Sequence, residues 1–167
     1  EERTLPKNTA ALTSLCQRYP GKVNVLLAPA ASDIYKENVP ANAPLLDEDG
    51  YLDQLSAAVQ AAGGRFVDVR QTLTAHKSEY IYYRTDHHWT SKGAYTAYKT
   101  YMDALGKECL SSDAYKIISH DGFCGTTYSR SGFWLTKGEP VEQWDTGKEY
   151  TVTCWESYGA QPQVRKE

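Results

Sequence analysis

An alternation constrains the fold of this chain more than any other feature. Over the first 106 residues, apolar stripes at helical spacing take turns with short apolar runs, and glycine closes each stripe. Ala11, Leu12, Leu15, Cys16 and Tyr19 form one stripe, with Asn8 as its expected N-cap and Pro20-Gly21 as its stop. Leu52, Leu55, Ala58, Val59 and Ala62 form a second, ended by Gly63-Gly64. Ala94, Tyr95, Ala97, Tyr98, Tyr101, Met102 and Leu105 form a third, capped by Thr90 or Ser91 and ended by Gly106. Residues 23–28, 66–69 and 81–83 read as short buried strands between them, and 73–77 as a short helix. Strands that alternate with helices predict an α/β fold, a parallel sheet flanked by helices on its faces. Ligands of such sheets bind at the carboxyl ends of the strands.

Beyond residue 110 the pattern changes. Residues 115–119 and 149–155 alternate in the β manner, and Gly, Ser and Thr dominate between them. We expect one domain over 1–167: an alternating α/β part at 1–108, a C-terminal β-hairpin appendage at 109–158 and a frayed polar tail at 159–167. A chain of this length buries roughly 70% of its unfolded surface, enough for its own core.

The formal charge is −3, and Lys and Arg are scattered, which argues against nucleic acid or an anionic membrane as partner. No apolar run reaches the roughly 18 residues needed for a membrane span. No signal peptide is visible, and the opening Glu1-Glu2-Arg3 reads as a trimmed mature start. The 13 Tyr and 4 Trp suit a core or a carbohydrate-facing surface. The four cysteines contain no C-x-x-C pair, which argues against a zinc ribbon. Cys16 reads as a small core residue, and Cys109 with Cys124 is the favoured of three pairings, compatible with an oxidising compartment.

Chemistry concentrates in Tyr82-Tyr83-Arg84-Thr85-Asp86-His87-His88-Trp89-Thr90, at the carboxyl end of the expected third strand. An Asp two residues before a His can bond one ring nitrogen and fix the tautomer, so Asp86 would orient and His88 would act as general base. The bland alternative has Asp86 cap the next helix while His88 packs. His87 is expected to point elsewhere, because side chains alternate along an extended segment. Arg84 would bind an anionic substrate or pair with Asp68; pairing is favoured. Trp89 would wall a sugar pocket or plug the sheet-helix joint; the plug is favoured. Asp86, His87 and His88, with His120 and Asp121, also supply metal donors. Adjacent histidines rarely converge on one ion, however, and no H-x-x-x-H helix exists, so no metal and no cofactor is expected.

The nucleophile is the missing part. Residues 125–132 form the one hydroxyl-rich, glycine-bracketed loop, and Ser129 or Ser131 could reach His88 from it. A nucleophile elbow needs a buried strand before it and a helix after it. Neither is evident, so this stretch reads as a structural or substrate-side hairpin, and Ser129 stays a remote catalytic candidate. Ser32 is more remote still, because 30–33 lacks a glycine turn.

The segment 82–95, Asp86-His87-His88-Trp89 followed by Gly93-Ala94-Tyr95, resembles the DHHW family of bacterial extracytoplasmic proteins. These are similar to the SGNH-hydrolase-like O-acetyltransferases of the alginate machinery, whose matching motif is D-x-H-W. The likeness extends to residues 23–28, Ala28-Pro29, Ile34-Tyr35, Phe66-Val67-Asp68-Val69, His76-Lys77, Phe123-Cys124-Gly125-Thr126 and Ser129-Arg130-Ser131-Gly132. The resemblance implies a flavodoxin-like, circularly permuted SGNH-like fold with Asp86 and His88 as the Asp and His of a triad. In the family the serine follows the D-x-H-W segment with a D-S or G-[DST]-S signature, and none follows residue 89 here; Asp145-Thr146-Gly147 is not one. The resemblance thus implies a member without the family's last third, with a smaller sheet whose open edge invites self-association. The reading frame beyond Glu167 is where the serine would be sought.

Two functions follow. One is a module of extracytoplasmic polysaccharide O-acetyl transfer or ester hydrolysis, inactive alone for want of its serine. The other is a non-catalytic carbohydrate-binding or assembly domain that stacks sugars on Trp89, Tyr83 and Trp134, with Arg84 beside them. Polysaccharide or an acyl donor is the expected partner.

Overall fold

The computed structural model describes residues 4–132, 134–149, 151–154 and 163–166. The elements run α1 (Thr4–Arg18), β1 (Asn24–Val25), α2 (Ala31–Ile34), α3 (Glu48–Ala61), β2 (Arg65–Phe66), α4 (Arg70–Ala75), α5 (Ser91–Ala104), β3 (Lys116–Phe123), α6 (Thr126–Ser131), β4 (Glu139–Asp145), β5 (Thr151–Cys154) and β6 (Gln163–Lys166). The chain is a mixed α/β protein of small sheets and helices. No helix among the described residues is long and apolar enough to cross a membrane.

The three stripes are helices α1, α3 and α5. Asp47 caps α3 by accepting from the Gly50 amide at 3.0 Å, and Thr90 caps α5 by accepting from the Gly93 amide at 3.2 Å. Asn8 is not a cap: α1 already runs from Thr4, and Pro6 falls in its first turn, where the missing N–H costs nothing.

β1 and β2 pair in parallel, Asn24 opposite Arg65 and Val25 opposite Phe66. Period-2 alternation sends neighbours to opposite faces. Val23, Val25, Leu27 and Phe66 pack with Cys16, Leu55 and Val59 of α1 and α3. Leu26, Val67 and Val69 pack with Ile34, Leu73, Ala97 and Tyr101 of α2, α4 and α5. Full burial of a Leu or Ile such as Leu55, Leu73 or Ile81 contributes about 1.5–3 kcal/mol each.

The expected third parallel strand at 81–83 does not join this pair. Tyr82 instead forms an isolated antiparallel bridge with Trp89, closing residues 83–88 into a loop. The Tyr83 amide donates to His88 O at 3.2 Å and the Thr90 amide to Ile81 O at 2.9 Å. Local loop closure costs less entropy than a long-range ladder, and buried Ile81 and Tyr82 anchor the loop in the core.

The C-terminal hairpin expectation also needs correction. β3 pairs with β4, not with the 149–155 stretch, and α6 sits between them where a loop was expected. β5 pairs with Gln163–Lys166, four residues read as part of a frayed tail. Nor is the β3–β4 ribbon detached: Ser91 Oγ donates to Glu142 O at 2.5 Å. The ring of Tyr95 in α5 lies 5.1 Å from the Trp144 ring, centroid to centroid, and the Trp144 ring lies 5.5 Å from that of Tyr115, tilted by 54°. The ladder shifts register between His120 and Phe123, where Gly122 adopts φ +88°. Cys16 is buried as expected, but Cys109 and Cys124 are free thiols rather than a disulfide.

Candidate functional site

The loop between Tyr82 and Trp89 carries the Asp-His pair. Its ends are fixed by the core: the Tyr82 hydroxyl donates to Pro29 O at 2.7 Å, and the Thr90 hydroxyl donates to Tyr80 O at 2.7 Å. Trp89, partly buried, packs against the core cluster.

Asp86 and His88 lie side by side. Asp86 Oδ1 is 2.5 Å from His88 Nδ1 and accepts from the His88 amide at 2.9 Å. Asp86 Oδ2 accepts from the Thr126 amide at 2.8 Å and the Thr126 hydroxyl at 2.9 Å. The Asp86 side chain is 5% exposed and the His88 side chain 65%. Burial alone would raise the Asp86 carboxyl; the Thr126 and His88 amides, the His88 ring and the Thr126 hydroxyl outweigh it and hold it well below the usual carboxylate range. Asp86 is therefore an anion at neutral pH. With Nδ1–H given to Asp86, neutral His88 keeps Nε2 as its proton acceptor, on a ring open to solvent.

His87 does not point elsewhere. Its ring centroid lies 3.9 Å from that of His88, and its Nδ1 is 3.6 Å from Asp86 Oδ1 and 2.8 Å from Thr126 Oγ1. The Thr126 hydroxyl proton goes to Asp86, so Thr126 Oγ1 accepts from His87. Donor atoms of Asp86, His87 and His88 come within 4.8 Å of one another, a convergence the sequence argued against; His120 and Asp121 are not among them. Both Asp86 oxygens already accept from protein groups.

Arg84 does not pair with Asp68, which is bound by Arg70 at 2.5 Å. The Arg84 guanidinium instead lies over the Tyr80 ring, 5.8 Å from its centroid. Arg84, Tyr83, Tyr80, Tyr82 and Tyr35 line a cavity of about 690 Å3 beside the loop, and Ser32 is in its wall. Tyr83 also meets Phe123, centroids 5.1 Å apart. Ser129 is on α6, with its hydroxyl donating to Gly125 O at 3.1 Å. The hydroxyl bonded to the Asp86 carboxylate is that of Thr126, one turn earlier. Trp134 is 75% exposed.

Four participants escaped the sequence reading: Thr85, Gly125, Thr126 and Glu139. Glu139, 8% exposed, accepts from the Arg84 amide at 2.8 Å, the Thr85 amide at 2.6 Å and the hydroxyls of Tyr80 and Thr85. Gly125 is required by close approach: a Cβ there would overlap Asp86. Gly125 and Thr126 stood in the hydroxyl-rich loop and in the family likeness, but neither was given a role there. A lone Glu before Pro140 carries no local signal of burial.

The fold and the site define an α/β protein whose carboxylate–imidazole pair is set in a loop between a core tyrosine and a core tryptophan. The model of the DHHW protein family matches residues 12–140, and the chain belongs to that family. Among solved structures it is similar to a DHHW family protein from Eubacterium siraeum DSM 15702, with 22% identity over 87% of this chain and 50% of that one, TM-score 0.69. It is also similar to the O-acetyltransferase domain of Pseudomonas putida AlgJ, with 20% identity over 84% of this chain and 55% of that one, TM-score 0.62. Bacillus cereus PatB1 with a sulfonyl adduct matches at 14% identity over 99% of this chain and 56% of that one, TM-score 0.63. Comparison with curated proteins gives no match. The chain spans about half the length of these solved relatives.

Proposed function

We propose that this chain carries the Asp-His part of an SGNH-type site for O-acetyl transfer to, or ester hydrolysis on, an extracytoplasmic polysaccharide. By itself it does not turn over. The observation that carries this is the 2.5 Å contact between buried Asp86 and the exposed ring of His88. In that geometry His88 Nε2 removes the proton of an attacking hydroxyl, Asp86 stabilises the imidazolium, and the proton passes to the leaving oxygen. A likeness in fold to an O-acetyltransferase domain supports the reaction class. The β1–β2 pair with helices on both faces supports a flavodoxin-like sheet, and its edges, unpaired among the described residues, are where copies would associate.

A carbohydrate-binding role without chemistry is the second reading. The tyrosine-lined cavity and exposed Trp134 favour it.

A chromogenic acetyl ester and a fluorophosphonate probe separate the two. We expect neither cleavage nor labelling by this chain. Labelling at Ser129 that vanishes in His88→Ala would overturn the inactivity and restore a complete machine. Polysaccharide binding that persists undiminished in His88→Ala would favour the second reading.

A further inference from the structure

We infer that Glu139 is the positioning residue of the Asp86–His88 pair, acting through Thr85; this rests on the reading of that pair as the reactive centre. Glu139 is buried, yet among the described residues no cation pairs with it. A carboxylate in such a place must be held by hydrogen bonds or lose its charge. All four donors it receives come from residues 80–85, directly before Asp86: Tyr80 Oη, Arg84 N, Thr85 N and Thr85 Oγ1. Two successive amides aimed at one carboxylate fix the peptide planes leading into Asp86, and with them the direction of its side chain.

Thr85 then carries the same anchor to the other arm of the site. Its hydroxyl donates to Glu139 and accepts from the Gly125 amide at 3.2 Å. Its carbonyl accepts from the Tyr128 amide at 3.0 Å. Those contacts seat α6, whose Thr126 supplies both donors to Asp86 Oδ2. One buried carboxylate on β4 thus sits at the root of both groups that hold Asp86: the loop bearing it and the helix bonded to it. Burial pushes the Tyr80 phenol up, and Glu139 beside it adds to the shift, so Tyr80 stays a donor.

The test is proton NMR of the whole chain, which needs no turnover. The readouts are the downfield His88 Nδ1 proton shared with Asp86, exchange of the Thr126 amide, and exchange in α3 as a remote control. Glu139→Gln keeps the size but loses acceptors, Thr85→Val removes only the relay hydroxyl, and Thr85→Ser restores it. We expect Glu139→Gln and Thr85→Val to abolish the Nδ1 resonance and speed Thr126 exchange at least tenfold, with α3 unchanged. Thr85→Ser should return both readouts. An Nδ1 resonance unchanged in folded Thr85→Val or Glu139→Gln overturns the assignment. So does Thr85→Ser behaving like Thr85→Val, or a general loss of folding in both Thr85 variants, since either leaves only packing. Polysaccharide binding undiminished in His88→Ala, with these shifts intact in the wild-type chain, would fail the proposed function and spare the positioning role.

Discussion

Two sets of carboxylates in this molecule are held in opposite ways. On the surface, Arg70 gathers Asp49, Asp53 and Asp68 at 3.1, 2.5 and 2.5 Å. Around the loop, Asp86 and Glu139 are buried and are held by amides, hydroxyls and an imidazole. Cations neutralise charge in nearly any geometry, and water shares the work. Neutral donors satisfy a buried anion only in one geometry, and every lost donor is felt. The difference predicts a loop that is sensitive to the loss of any one donor and a surface hub that tolerates change.

The sharpest way to break the contrast is Asp86→Asn. The amide leaves buried donors facing a donor, at roughly 1–3 kcal/mol each, so a total loss of about 2–4 kcal/mol is expected in urea titrations near pH 6. The pH dependence fixes the sign. The native Asp86 and Glu139 carboxyls titrate below their unfolded values, near 4, so their stabilisation is full above about pH 5 and fades as pH falls through the native values. The gap between wild type and Asp86→Asn should therefore narrow from pH 6 to pH 3. A gap independent of pH would break the account.

Gly125→Ala comes next. Its new Cβ overlaps Asp86, and overpacking of this kind costs about 1–3 kcal/mol. The same His88 Nδ1 resonance should weaken with stability; a stable variant with the resonance intact would show that the loop yields freely.

Arg70→Ala should do least, on the order of 1 kcal/mol at low salt, shrinking as salt screens the three aspartates left behind. Thermal melts at two ionic strengths read it. A large, salt-independent loss would erase the distinction between the two regions.

Much of the α/β part was legible, because helices α1, α3 and α5 announce themselves through periodicity and glycine stops. Asp86 with His88 was legible too, because a two-residue spacing is local. His87 was misread, since alternation holds for an extended strand and residues 83–88 are a closed loop. The strand at 139–145 was not read from the sequence, because β partners are chosen by tertiary packing, here on Tyr95 and Ser91 of α5.

Local order along the chain determined the helices, the apolar runs between them, and the presence of a carboxylate two residues before an imidazole. Tertiary structure alone decided that Glu139 and Thr126, some 40 to 59 positions away from the residues they hold, fix that pair and the loop that bears it. Sequence pattern reports what neighbours along the chain can do. A buried charge is satisfied by whatever donors folding brings within 3 Å of it, and nothing in the order of residues names them in advance.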